Sequence, residues 1–231
     1  MKAVILAGGY GKRLRPLTEE IPKPLIEVAG KPIIVWQIEW LKRHGIKDFI
    51  ILVGYLRDRI IERIGSGQAL GVRVAYVVED EPLGTGGALK NAEHLLRGEE
   101  VFLVLNGDII TDLDPLKLVD ALKSRPGAVG AIAAIPLRCP YGLLEITGEG
   151  LVKGFKEKPI LRDYWVNAGV YALRSEILDY LPEKGDIERT AFPKLASEGR
   201  LLAVKYLDVY WRSIDTFKDV EEASRELEAS T

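Results

Sequence analysis

The sequence predicts an α/β fold: a Rossmann-like, doubly wound, mostly parallel sheet with a smaller β/α subregion in its C-terminal part. Three observations predict it. Short apolar runs alternate with helical stretches from residue 2 to about residue 137, the pattern that places helices on both faces of a parallel sheet. Two polar clusters, Gly8–Arg13 and Asn106–Asp108, directly follow apolar runs, and ligands of such sheets bind beyond the carboxyl ends of the strands. After residue 138 the texture changes to hairpin-like segments and a charged tail.

Residues 2–7 are expected to form a buried strand. The stretch 32–44 is expected to be a helix: Pro32 suits its first turn, Ile34, Ile38 and Leu41 share a face, and Gly45 stops it. A strand at 48–54, a helix near 57–64, a strand at 72–79 and a helix at 86–97 follow. The run VFLVLNG at 101–107 is a further strand, and a helix at 114–124 precedes an apolar strand at 128–137. Residues 143–155 are expected to form a hairpin turning at Gly148 to Gly150. Strands at 165–173 and 201–207 are accompanied by helical stretches near 175–181 and 187–198, and 216–229 is a charged helix. No hexapeptide period follows residue 207, so a left-handed β-helix is not expected.

The chain has 231 residues, 47% of them apolar, and a net charge of −2. No global basic field invites a nucleic acid, so any anion site is local. The longest apolar runs are too short and too interrupted to span a membrane. Cys139 is the only cysteine, and no secretory signal is visible. A cytoplasmic protein that binds neither nucleic acid nor membrane is expected, with homo-oligomerisation left open.

The loop Gly8-Gly9-Tyr10-Gly11-Lys12-Arg13 is neither a P-loop nor a dinucleotide fingerprint, because position 14 is Leu. Glycines admit backbone N–H groups to phosphate oxygens, and arginine forks across them. Lys12, Arg13 and Arg15 therefore make this an anion loop rather than a plain turn. Lys23 stands between Pro22 and Pro24, which stiffen its backbone.

The stretch LAGGYGKRLRPLT (6–18), followed by PKPL, resembles the signature of the sugar-phosphate nucleotidyltransferases. EDEPLGTGGALK (79–90), NGD (106–108), YGLLEI (141–146), FKEKP (155–159), VNAGVY (166–171) and YWRSIDT (210–216) extend the resemblance over nearly all the chain. It is greatest toward guanylyltransferases acting on mannose 1-phosphate or manno-configured heptose phosphates. The resemblance implies one domain over 1–231, with a nucleotide half to about 137 and a sugar-phosphate half beyond it. It also implies transfer of a nucleoside monophosphate from an NTP to a sugar 1-phosphate, with release of pyrophosphate.

That chemistry needs no general base, because a phosphate monoester with a second pKa of about 6 is already an anion near neutrality. The scarcity of histidine, only His44 and His94, agrees with this. The demand is for cations that bring two polyanions together. The resemblance gives Arg13 and Lys23 catalytic roles, and Leu6, Ala7, Gly8, Gly9, Gly11, Lys12, Gly84 and Thr85 nucleotide-binding roles. It gives Glu157 the sugar hydroxyls and Lys158 the sugar's phosphate, with Gly142, Asn167 and Gly169 lining the sugar pocket. Mg²⁺, which needs one or two carboxylates besides phosphate oxygens, would be held by Asp108 and Asp215.

Glu79 precedes the PLGTGG loop, where the family places its base-reading residue. Its carboxylate suits guanine, which offers adjacent N1–H and N2–H₂ donors; a glutamine amide would suit uracil or thymine better. The family commonly ends in Trp-x-Asp-Ile-Gly-Thr. Here Ser213 occupies the usual Asp position and Asp215 follows two residues later. Two alternatives therefore stand beside a mannose-1-phosphate guanylyltransferase. One is a thymidylyl- or uridylyltransferase acting on glucose 1-phosphate. The other is a catalytically weakened regulatory relative that binds nucleotide sugars.

Overall fold

β1 (Lys2–Ala7) alternates its side chains between two buried layers: Ala3, Ile5 and Ala7 enter one core, while Val4 enters the other with Leu6 packed beside it. A strand buried on both faces belongs at the centre of a sheet covered by helices. A computed structural model describes residues 1–229 and shows this arrangement. β1 is followed by β2 (Glu27–Val28), β3 (Lys31–Pro32), α1 (Ile33–Arg43), β4 (Asp48–Val53), α2 (Arg57–Ile64) and β5 (Arg73–Val78). Next come α3 (Gly84–Asn91), α4 (Glu93–Leu96), β6 (Val101–Asn106), β7 (Ile109–Thr111), α5 (Leu116–Ser124) and β8 (Gly130–Arg138). The chain continues through β9 (Leu143–Ile146), β10 (Val152–Lys156), β11 (Ile160–Arg174), α6 (Ala191–Ser197), β12 (Leu201–Lys205), β13 (Trp211–Ser213) and α7 (Phe217–Glu228).

The main sheet runs in the order β12-β8-β11-β6-β1-β4-β5. Only β11 is antiparallel to its neighbours, and it lies between β6 and β8. Helices α1, α2 and α5 cover one face through Ile34, Ile38, Ile60, Ile64, Leu118 and Leu122. Helices α3, α4 and α6 cover the other through Leu89, Leu96, Phe192 and Leu195. β4 and β5 lie on one side of β1 and β6 on the other. This is the topological switch point, where a crevice opens at the strand ends.

The expected helix at 86–97 is two segments that meet at Ala92. The stretch expected to be helical at 187–198 is a 3₁₀ turn, Ile187–Arg189, followed by α6. Pro193 offers no N–H to the carbonyl of Arg189, so the two cannot run on as one helix. The stretch near 175–181 is likewise 3₁₀, over Ser175–Asp179. The expected strand at 165–173 is the longer β11, whose pairing with β8 slips between Asn167 and Tyr171. Two short ribbons, β2–β3 and β7–β13, were not legible, because two or three residues show no period. They matter nonetheless. Leu14, Ile26, Val28, Ile33, Ile110, Ile214 and Ala223 form a third apolar cluster beneath the loops, which ties residues 12–28 to β7, β13 and α7.

Candidate active site

A cavity of about 410 Å³ opens at the switch point. Leu6, Ala7, Gly8, Gly9, Gly11, Lys12, Arg13, Lys23, Glu79, Gly84, Thr85, Asp108 and Asp215 all line it. Thirteen positions singled out in the sequence thus meet in one place.

The glycine loop is shaped by its anchors. Gly11 has φ +59, and its carbonyl accepts the Thr18 hydroxyl at 3.0 Å and the Leu14 N–H at 2.9 Å. Leu14 is fully buried in the third apolar cluster. That anchor turns Lys12 and Arg13 outward over the cavity, and the Arg13 side chain remains 73% exposed. The Lys12 ammonium lies 5.5 Å from the centroid of the Tyr10 ring.

Lys23 occupies the first position of a 3₁₀ turn, Lys23–Leu25. Its ammonium donates to Asp108 Oδ2 at 2.6 Å and to Asp215 Oδ1 at 2.8 Å. The Arg13 guanidinium reaches Asp215 Oδ1 at 2.9 Å. Ser213 Oγ donates to the other oxygen, Asp215 Oδ2, at 2.9 Å. Burial pushes the Asp215 carboxyl up, but the hydrogen bond and charge of Lys23, with Ser213 and Arg13, outweigh it and hold the group below the usual carboxylate range. Thr216 is the N-cap of α7, in a reciprocal capping box with Asp219. Asp215 is therefore not spent on capping and faces the cavity.

Among the described residues no three His, Cys, Asp or Glu side chains converge as a ready metal cage. Two carboxylates do converge, on the cationic Nζ of Lys23. A hard divalent ion that completes its shell with water and phosphate oxygens suits such a pair.

Glu79 lies across a floor made by two glycines. A Cβ at Gly8 would collide with Glu79 Oε1, and one at Gly54 would stand 2.9 Å from Glu79 Cγ. The Leu83 N–H donates to Glu79 Oε2 at 3.4 Å. Burial raises the Glu79 carboxyl above its ordinary value, with Leu83 opposing weakly.

Thr85 is committed to its own loop: its hydroxyl donates to Glu188 at 2.6 Å and accepts from the Ile187 N–H at 2.9 Å. Glu188 also accepts from the Tyr171 hydroxyl at 3.3 Å, and Asn167 Nδ2 donates to that hydroxyl at 2.9 Å. Asp186 lines the cavity as well. Neither Asp186 nor Glu188 was singled out beforehand, because two acids in GDIERT look like any solvated turn.

The residues expected at the sugar do not line this cavity. Gly142 and Glu157 sit together on the β9–β10 hairpin, where a Cβ on Gly142 would meet Glu157 Oε2 at 2.9 Å. Lys158 lies 3.8 Å from Glu157 and has φ +43. Asn167 Oδ1 accepts from the Gly169 N–H at 2.9 Å, so both ends of its amide are engaged locally. Gly169 has φ +70, and a Cβ there would stand 2.9 Å from Asn106 Nδ2. Gly169→Ala is therefore expected to cost about 1–3 kcal/mol through backbone strain and crowding. A lowered denaturant midpoint at unchanged slope would show it; an unaltered midpoint would refute the constraint.

A cationic glycine loop at the switch point of a doubly wound sheet defines an α/β protein of the nucleotide-binding type. The chain belongs to the nucleotidyl transferase family, which matches residues 2–230. It is 38% identical over 227 residues to a mannose-1-phosphate guanyltransferase of Kluyveromyces lactis, across 95% of this chain and 62% of that protein. The chain thus spans less than two thirds of the length of that relative. Its fold is similar to that of HddC from Yersinia pseudotuberculosis, with a TM-score of 0.78, 31% identity and coverage of 98% and 99% of the two chains. A second HddC structure, complexed with GMP-PN, gives a TM-score of 0.74 at 29% identity, with the same coverage.

Proposed function

We propose that the chain is a Mg²⁺-dependent, cytoplasmic guanylyltransferase that joins GTP to mannose 1-phosphate or a closely related manno-configured sugar 1-phosphate. The observation that carries transfer chemistry is the convergence of Asp108, Asp215, Lys23 and Arg13 in one cavity beside the glycine loop. The guanine reading is supported by Glu79, by the identity to the Kluyveromyces lactis enzyme, and by HddC having been complexed with GMP-PN. Among the described residues no helix is long and apolar enough to cross a membrane.

In this reading the backbone of Gly8 to Gly11 cradles the triphosphate, and Lys12 and Arg13 neutralise its outer oxygens. Lys23 moves from its carboxylate partners toward the α-phosphate, where charge accumulates as the sugar phosphate oxygen attacks in line. Asp108 and Asp215 would hold Mg²⁺, which supplies charge neutralisation and orientation of the phosphates. Lys158 would meet the sugar's phosphate, and Glu157 its hydroxyls, once the hairpin and the cavity are bridged by substrate. Pyrophosphate release across a panel of nucleoside triphosphates and sugar 1-phosphates tests the reading. It stands if GTP with mannose 1-phosphate, or a related manno-configured sugar 1-phosphate, is used best. It falls if UTP or dTTP is preferred.

Glu79→Gln is expected to narrow or reverse the preference for GTP by about 10- to 100-fold, the worth of hydrogen bonds to a charged group. The wild-type preference should also weaken on acidification. A carboxyl held above its ordinary pKa takes up a proton earlier as pH falls, and the protonated form loses an acceptor for guanine. The KM for GTP should therefore rise toward acid in the wild type and stay flatter in Glu79→Gln. Equal pH profiles in the two proteins would remove Glu79 from base recognition.

A further inference from the structure

Helix α1 carries one polar residue in its buried stripe. Gln37 is 1% exposed among Ile33, Ile34, Ile38, Trp40 and Leu41. A primary amide in an apolar layer is costly unless it is bonded. Gln37 Nε2 donates twice, to the carbonyl of Asn106 at 2.8 Å and to the carbonyl of Ile109 at 2.9 Å. Both partners can only accept, so the chemistry fixes which way the amide points. Those carbonyls bracket Gly107 and Asp108, the turn between β6 and β7.

The same turn is held on its other sides. The Gly107 N–H donates to the Leu6 carbonyl at 3.0 Å, and the Ile214 N–H donates to the Asp108 carbonyl at 2.9 Å. Among the described residues, Gln37 supplies the only side-chain hydrogen bonds to this turn's backbone, and it comes from the helix layer beneath the sheet. Its Oε1 is buried without a partner. A leucine or methionine would fill the same stripe without stranding that oxygen. The amide thus gives up stability on one side to hold the turn on the other, a pattern that marks sites kept for function.

We propose that Gln37 is a positioning residue for Asp108: its two donated hydrogen bonds clamp the Asn106–Ile109 turn and aim the Asp108 carboxylate at the cation position shared with Asp215. This rests on the reading of Asp108 as a metal ligand in nucleotidyl transfer. Residues that orient a ligand typically govern metal affinity or activity by 10- to 100-fold.

The test uses Gln37→Met, which keeps length and volume and removes both donors. Circular dichroism and thermal melting check the fold. Mn²⁺ binding is followed by electron paramagnetic resonance with GTP present and no sugar phosphate. Steady-state pyrophosphate release is measured against Mg²⁺. The expected result is a folded variant whose Mn²⁺ affinity and kcat each fall about 10- to 100-fold. The KM for GTP should stay within about twofold, and added Mg²⁺ should recover part of the rate. A folded variant with wild-type Mn²⁺ affinity overturns the proposal, as does one in which KM and kcat shift together without a change in metal requirement. If Gln37→Met does not fold, Gln37→Glu is measured in the same way and judged by the same criteria; failure of both to fold overturns the positioning role in favour of a purely structural one. Should the wild type itself release no pyrophosphate with any triphosphate, it is the functional reading that fails.

Discussion

Lys23→Ala is expected to lower turnover by on the order of 10²–10³ while leaving the protein folded and still able to bind a divalent ion. Lys23 is the least exposed cation of the cavity, at 14%. It holds two carboxylates at once, Asp108 at 2.6 Å and Asp215 at 2.8 Å. Removing it leaves two like charges converging on one position with no cation between them, and their repulsion opposes the folded state. Burial of Asp215, then opposed only by Ser213 and Arg13, pushes its carboxyl up from the lowered position that Lys23 maintains. The variant should therefore melt lower in chelator and recover when Mg²⁺ is added. Arg13 cannot take over: its guanidinium lies largely in solvent and, in the reading above, is engaged by the outer phosphate oxygens. Differential scanning with and without Mg²⁺, together with pyrophosphate release, reads both effects. Near-normal turnover in a folded Lys23→Ala protein would remove Lys23 from catalysis.

Asp215→Asn is expected to cost on the order of 10² in turnover and to raise the Mg²⁺ requirement sharply. Its effect on stability should be small. Asn keeps the side chain's shape, and helix α7 is capped by Thr216 and Asp219 independently of Asp215. Ser213→Ala should be mild, at most about tenfold, because it removes one neutral donor to Asp215. Hard divalent ions favour anionic oxygen over a hydroxyl. Mg²⁺ titrations of the three proteins separate the roles. Metal-dependent turnover that survives Asp215→Asn unchanged would leave Asp108 as the sole carboxylate ligand.

Much of the cavity lining was legible in the sequence because it is local. Gly8 to Arg13 follows β1 within a few residues, and Asp108 follows β6 in the same way. A strand period of two, a glycine loop and clustered cations are short-range signals. Glu79 was also legible as a carboxylate before a glycine loop, but its seat on Gly8 and Gly54 was not, because three parallel strands must be adjacent to create that floor. Thr85 shows the opposite case. It lies in the cavity wall as expected, yet its hydroxyl is bound to Glu188 and Ile187, residues a hundred positions away.

The sequence by itself determined the class of fold, the strand ends that carry the anion loop and the charged helix at the end of the chain. Each of these depends on neighbours in the chain, whose geometry is set by backbone period, glycine freedom and capping chemistry. Only the tertiary structure decided which of Ser213 and Asp215 faces the cavity. That choice depends on the third apolar cluster, where Leu14, Ile110 and Ile214 bring three distant loops together. It also depends on the pairing of Arg212 with Ile110 and of Ser213 with Ile109 between β13 and β7, which brings Asp215 to Lys23. The convergence of two carboxylates on one ammonium is a long-range outcome of packing, and no spacing along the chain encodes it.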